Sequence, residues 1–169
     1  MNFRRLLATG ILLLAPALAQ AAAQTPGQAV ASLWRALSHE PGEAADLATL
    51  RGLFHEDAVV FGSRSRDGKP SLTRRSAAEF LAALAGVDAS GFHEREIHRM
   101  VEVVDRFATV YSVVESRTDR DAPKADFTGV NSLQLYFDGE RWRVLSLYYH
   151  VPDDARDIPA PPPAPAPGR

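Results

Sequence analysis

The chain has 169 residues, 46% of them hydrophobic and 24% charged, the composition of one globular domain with appendages; collagen, a coiled coil and full disorder are excluded. It has no cysteine, which excludes a disulfide framework, thiolate zinc sites, a cysteine nucleophile and a lipidated cysteine anchor. The formal charge is −2, and two of the 19 basic residues, Arg4 and Arg5, fall in a segment expected to be removed, so nothing in the charge points to a nucleic acid as partner.

Residues 1–24 have the form of a secretory signal peptide. Arg4 and Arg5 make a basic start, Leu6 to Ala19 an apolar run, and Ala17-Leu18-Ala19 and Ala21-Ala22-Ala23 both fit the small-residue cleavage pattern. A run of about 14 apolar residues is short of the ~20 that a bilayer span needs. The expectation is a periplasmic or secreted protein, exported by the general or the twin-arginine route, with no membrane insertion after cleavage. Residues 154–169 end in alternating proline and alanine and predict an extended polyproline tail. The folded domain is therefore expected over residues 25–153.

Taken in chain order, that domain begins with helices. Thr25-Pro26-Gly27-Gln28 offers an N-cap, a proline at the first helical position and a capping-box glutamine. Val30, Leu33, Trp34 and Leu37 then recur at i, i+3, i+4 and i+7. Pro41-Gly42 breaks the chain, and a second helix is predicted over about 43–54, with Leu47, Leu50 and Phe54 on one face. Ala58 to Phe61 reads as a short strand. The run Arg64, Arg66, Lys69, Arg74 and Arg75 reads as a solvated loop. Ser76 and Glu79 form a second capping box, opening a helix that buries Phe80, Leu81 and Leu84.

The second half predicts strands near 92–104, 107–117, 126–137 and 141–151, the last two joined through the hairpin signal Asp138-Gly139. Helices first and long antiparallel strands last imply an α+β layer: a cone-shaped roll, with N-terminal helices packed on one face of a curved, mostly antiparallel sheet.

Three stretches carry a family likeness. Leu53-Phe54-His55-Glu56-Asp57-Ala58-Val59 reads as a helix-to-strand junction, Gly91-Phe92-His93-Glu94-Arg95-Glu96-Ile97 opens the first long strand, and Gly129-Val130-Asn131-Ser132-Leu133-Gln134-Leu135 with Trp142 builds the closing hairpin. In these the chain resembles the nuclear transport factor 2-like superfamily, specifically its bacterial SnoaL-like branch, over residues 25–151. The resemblance implies the cone fold, and that scaffold hosts isomerases, dehydratases, hydrolases, binders and association domains. Members similar to ketosteroid isomerase carry a carboxylate where this chain has Gly62, and a tyrosine on the first helix where it has Trp34. The resemblance therefore does not extend to steroid-isomerase chemistry.

Strand alternation assigns the candidate residues. On the first long strand Glu94, Glu96, His98 and Glu102 share one face, expected outward, and Arg95 shares the inward face with Val101 and Val103. Glu115 on the next strand is placed to pair with Arg95, either as a substrate-orienting pair or as a plain cross-strand link. Asn131 interrupts an apolar face made by Phe127, Gly129, Leu133, Leu135 and Phe137; it either meets a ligand or ties down a neighbour. Trp142, Val144, Ser146, Tyr148 and His150 are expected to share a face. Candidate pocket residues are thus Trp34, Arg95, Glu115, Asn131, Tyr148 and His150. No histidine spacing fits a metal site, and no cofactor motif appears.

The leading expectation is an exported protein that holds a small apolar molecule and forms a homodimer through its outer sheet face. The alternatives are an acid/base isomerase, dehydratase or hydrolase, and a dimerising interaction module.

Overall fold

The computed structural model describes residues 24–66, 68–154 and 158; the expected leader up to residue 23, and the expected tail apart from Asp154 and Ile158, lie outside them. Among the described residues no helix is long and apolar enough to cross a membrane. Helix α1 (Pro26–Leu37) starts as the sequence predicts. The Thr25 hydroxyl accepts from the Gln28 backbone N–H at 3.2 Å, and the Gln28 side chain accepts from that of Thr25 at 2.7 Å. Its stripe of Val30, Leu33, Trp34 and Leu37 is buried.

Helix α2 (Leu47–Leu53) is shorter than the expected 43–54. Asp46 caps it, accepting from the backbone N–H and the hydroxyl of Thr49 at 3.0 and 2.6 Å. An N-cap is itself non-helical, so residues 43–46 cannot belong to the helix. Helix α3 (Ala77–Ala83) opens on the Ser76–Glu79 box, and its Phe80 packs on Phe54 with ring centroids 5.7 Å apart.

Six strands form one sheet: β1 (Phe54–Arg66), β2 (Lys69–Ser76), β3 (His93–Val104), β4 (Phe107–Arg117), β5 (Phe127–Phe137) and β6 (Trp142–Val151), in spatial order β2-β1-β6-β5-β4-β3. Only β1 and β6 pair in parallel. The last four strands fall within a residue of their expected bounds. The first two correct the sequence reading, because the expected loop is a hairpin. Arg66 pairs with Lys69, and Gly68 takes φ +69° between them. A glycine in this left-handed region suits a tight hairpin turn. β2 carries no apolar alternation because all but its last residue is exposed, and its arginines and lysine shield an open sheet edge.

Two β-bulges decide which side chains face the helices. In β3, Glu96 pairs with Val114 and His98 with Val113, so Ile97 is an extra residue; in β6, Val144 pairs with Leu135 and Ser146 with Gln134, so Leu145 is extra. Each extra residue reverses the alternation beyond it. On β4 the helix-facing set is Ala108, Val110, Ser112, Val114 and Ser116, all buried. Across from it lie Glu94, Glu96, Arg99, Val101 and Val103. The expectation that Glu94 and Glu96 face outward and Arg95 inward is therefore reversed. On β6, Trp142, Val144, Leu147 and Tyr149 turn toward the helices, and Tyr148 and His150 turn away, which separates residues expected on one face.

Between helices and sheet the buried side chains form one hydrophobic cluster. Leu33, Leu50, Leu133, Leu135 and Leu147 are at most 2% exposed, each contributing about 1.5–3 kcal/mol by burial. Gly62 belongs to this packing: a β-carbon there would sit 2.2 Å from Cζ of Tyr149. The ring of Tyr149 occupies the place a side chain at position 62 would need.

Candidate functional site

A cleft of about 600 Å³ opens at the end of the sheet where β3 begins and β4 ends. Helix α1 contributes Arg35 and its C-cap Ser38, and β3 contributes His93, Glu94 and Arg95. Arg117 of β4 and the loop residues Arg120, Ala122 and Pro123 complete it. Its lining is predominantly charged. A second cleft of about 680 Å³ lies between α2, α3 and the β5–β6 turn, with Phe54, Ala77 and Leu81 as its apolar floor. No buried polar atom lacking a partner lines it, among the described residues.

Ser38 fixes the first cleft. Its hydroxyl donates to the Trp34 carbonyl at 2.8 Å and accepts from the backbone N–H of Glu94 at 3.0 Å, pinning the start of β3 to the end of α1. The Glu94 side chain is thereby held under the helix. One oxygen, Oε1, accepts from the Ser116 hydroxyl at 3.1 Å. The other, Oε2, is buried and has no hydrogen-bond partner among the described residues. Burial pushes the Glu94 carboxyl up to about 7, a rise that the Ser116 hydrogen bond only partly offsets. A carboxyl group at that value exchanges its proton near neutral pH.

The rim is arranged as ion pairs. Glu115 Oε2 accepts from Arg95 Nη2 at 2.5 Å and from Arg117 Nη2 at 2.8 Å. These two guanidinium groups, Arg95 first, hold the Glu115 carboxyl below its ordinary value. Arg117 also donates to the Ala122 carbonyl at 3.2 Å, anchoring the loop. Glu40 pairs with Arg120 and lies 3.6 Å from Nε2 of His93. Arg35 donates to the Ser32 hydroxyl at 2.9 Å and has no carboxylate partner among the described residues.

The candidate residues from the sequence separate into three groups. Arg95 and Glu115 do pair, on the sheet face away from the helices, and Arg95 reaches the cleft rim. Tyr148 and His150 lie on that outer face as well, where both contact the Ser63 hydroxyl at 2.7 and 2.6 Å, far from the cleft. Trp34 and Asn131 are buried on the helix side. Nε1 of Trp34 has no partner among the described residues, and the Asn131 amide donates to the Ser112 carbonyl at a long 3.4 Å. Glu94 was missed. Its face could be found only by recognising the bulge at Ile97, for which the sequence offers no glycine or other marker.

Deeper under α1 a second polar group stands on the same face. Glu96 accepts from Ser112 Oγ at 2.6 Å and from Arg99 Nε at 2.9 Å, and Arg99 reaches the Gly27 carbonyl at 2.7 Å. This network is satisfied within itself and ties β3 to the start of α1. Among the described residues no three His, Asp or Glu side chains converge as metal ligands.

No protein-family model matches the chain, and no curated protein matches it in sequence. Solved structures do. The chain is similar to a protein of unknown function with a cystatin-like fold from Nostoc punctiforme, at TM-score 0.56 and 12% identity over 78% of this chain and 92% of that one. It is also similar to NTF2-like proteins of unknown function from Shewanella baltica (TM-score 0.52, 18% identity, 74% and 89% covered) and Pseudomonas putida (TM-score 0.52, 12% identity, 72% and 83% covered). Likeness at such identities defines a fold. The fold is NTF2-like.

Proposed function

We propose that the chain is an exported small-molecule-binding protein of the SnoaL-like type, and that its ligand occupies the cleft above Glu94. One observation carries the reading: a buried carboxyl oxygen without a partner, beside an open cleft ringed by arginines. Leaving such a group unsatisfied costs on the order of 1–3 kcal/mol, and protein sites that keep it commonly serve a ligand. The satisfied Glu96–Arg99 network, by contrast, is accounted for by structure alone. Native mass spectrometry of protein recovered from the periplasm or medium tests the proposal. The expected result is a co-purifying small molecule that is lost on denaturation. Protein that carries no ligand, and whose spectrum no small molecule perturbs at the cleft, would overturn it. The same spectrum tests export, since the mature chain should begin between Gln20 and Thr25.

An acid/base enzyme is the second reading, favoured by a carboxyl group that titrates near neutrality beside a cleft. It would use Glu94 rather than Glu115, Tyr148 or His150. A pH–rate profile that loses its inflection near 7 in Glu94→Gln would support it over simple binding.

The outer sheet face suits a homodimer. Ile97, Met100, Tyr136 and Tyr148 are 49, 44, 37 and 41% exposed there, an apolar content that self-association would cover. Glu94 and Glu96, expected on this face, are absent from it. Light scattering should return twice the monomer mass, and a single Met100→Glu substitution should halve it.

A further inference from the structure

Charge at the cleft does not balance. Four guanidinium groups face it: Arg35, Arg95, Arg117 and Arg120. Two carboxylates neutralise part of that charge, Glu115 taking Arg95 and Arg117, and Glu40 taking Arg120. Arg35 keeps a full positive charge with no acid against it among the described residues. The remaining acid is Glu94, and its burial is what sets its state: protonated, it leaves the cleft with two positive charges in excess; ionised, with one. Ala122 and Pro123 add a small apolar wall.

We propose that the cleft binds a small organic anion, and that Glu94 takes up a proton as the anion enters. The proposal rests on the reading of the cleft as the ligand site and adds the ligand's charge and the coupling. An anion satisfies Arg35, whose planar donors suit a carboxylate. In a cleft of this size the ligand's charge lies close to the Glu94 carboxyl, and a like charge nearby disfavours the ionised form. Protonation removes the repulsion, so anion and proton bind together. Direct contact with the buried Oε2 is not required.

Several groups surround Glu94 and share its electrostatics. His93, Arg95 and Glu96 flank it on β3, and Ser116 faces it from β4, while the neighbouring Glu115 and Arg117 point to the other sheet face, Arg117 reaching the cleft at the sheet's end. Arg35 and Ser38 lie on the α1 side, and Arg120 with Glu40 on the loop side. His93 is a second titratable group beside the cleft. Comparison with Glu94→Gln, which leaves His93 in place, separates the two.

The test is a titration of the full chain, isotopically labelled for NMR, with benzoate, benzamide and benzylammonium. Benzoate should perturb Arg35, Ser38 and Ala122, and bind at least about tenfold more tightly than either of the others. Its Kd should rise about tenfold between pH 6 and 8 in the unmodified protein, and by no more than about twofold in Glu94→Gln. Calorimetry of the unmodified protein in buffers of different ionisation enthalpy should register uptake of roughly half a proton per site at pH 7, a readout that needs no variant. If benzamide or benzylammonium perturbs the same residues as strongly, the anion is wrong while the ligand site stands. A pH dependence that survives in Glu94→Gln, or no proton uptake, removes the coupling. Silence of the cleft toward all three probes removes both the proposal and the reading beneath it.

Discussion

Replacing Glu94 by glutamine should stabilise this protein at alkaline pH and leave it unchanged in acid. Glutamine mimics the protonated carboxyl: it can still accept from the Ser116 hydroxyl, and it carries no charge under α1. In the unfolded chain the Glu94 carboxyl titrates near its ordinary 4.5, whereas burial pushes it to about 7 in the fold. The raised value fixes the sign. Below about pH 4.5 both states are protonated and the group costs nothing; as pH rises, the unfolded state ionises first, and stability falls until the folded carboxyl ionises as well. The difference between 4.5 and about 7 amounts to roughly 3 kcal/mol once the pH is above 7. For a domain of this size 1 kcal/mol moves the melting temperature by about 3–6 °C. Melts followed by circular dichroism should therefore coincide at pH 4.5 and diverge to roughly 10 °C at pH 8, the variant being the more stable. Parallel curves across that range would mean that Glu94 is solvated, and the account of the cleft built on its burial would fail.

Other substitutions probe separate parts of the fold. Glu115→Gln should release Arg95 and the buried Arg117, lowering stability by about 1–3 kcal/mol; because the Glu115 carboxyl is held below its ordinary value, that loss should shrink as the pH of a urea titration falls through the acid range. Gly62→Ala should force the Tyr149 ring from its place at a cost of about 1–3 kcal/mol, and a Tyr149→Leu background should recover much of it in a double-mutant cycle. Asn131→Leu should cost only about 0.5–1.5 kcal/mol, the worth of one weak hydrogen bond, and leave ligand retention unchanged; a large loss of retention would return Asn131 to the site.

Most of the fold was legible in the sequence because it rests on local signals. Both capping boxes form at Thr25 and Ser76, the apolar stripe of α1 is buried, and β3 to β6 begin and end where alternation and the Asp138-Gly139 turn put them. Asp138 itself shows why such a signal is strong: its carboxylate accepts from the backbone N–H groups of Glu140 and Arg141 at 2.8 and 2.9 Å and from Arg143 Nε at 2.8 Å, so one residue closes the hairpin and anchors β6. A turn signal, Gly68, was present at the β1–β2 turn as well. It was hidden because β2 is an exposed edge whose charged residues have no apolar face to alternate with.

The candidate site was less legible for a different reason. Which side chains reach a cleft beside a sheet depends on parity, and parity is a property of the whole strand, whereas alternation is read from neighbours. A single extra residue at Ile97 keeps Arg99, Val101 and Val103 on the expected face yet sends Arg95 out and brings Glu94 and Glu96 in. A second at Leu145 keeps Trp142 and Val144 inside and turns Tyr148 and His150 away. Neither position carries a glycine, the residue that most often marks a bulge, and both hold β-compatible apolar side chains that fit an unbroken strand. The first bulge has a chemical consequence as well as a geometric one. Without it, Arg95 would stand under α1 where Glu94 now stands, the cleft would hold a permanent cation in place of a group able to gain or lose a proton, and binding of an anion there would not depend on pH.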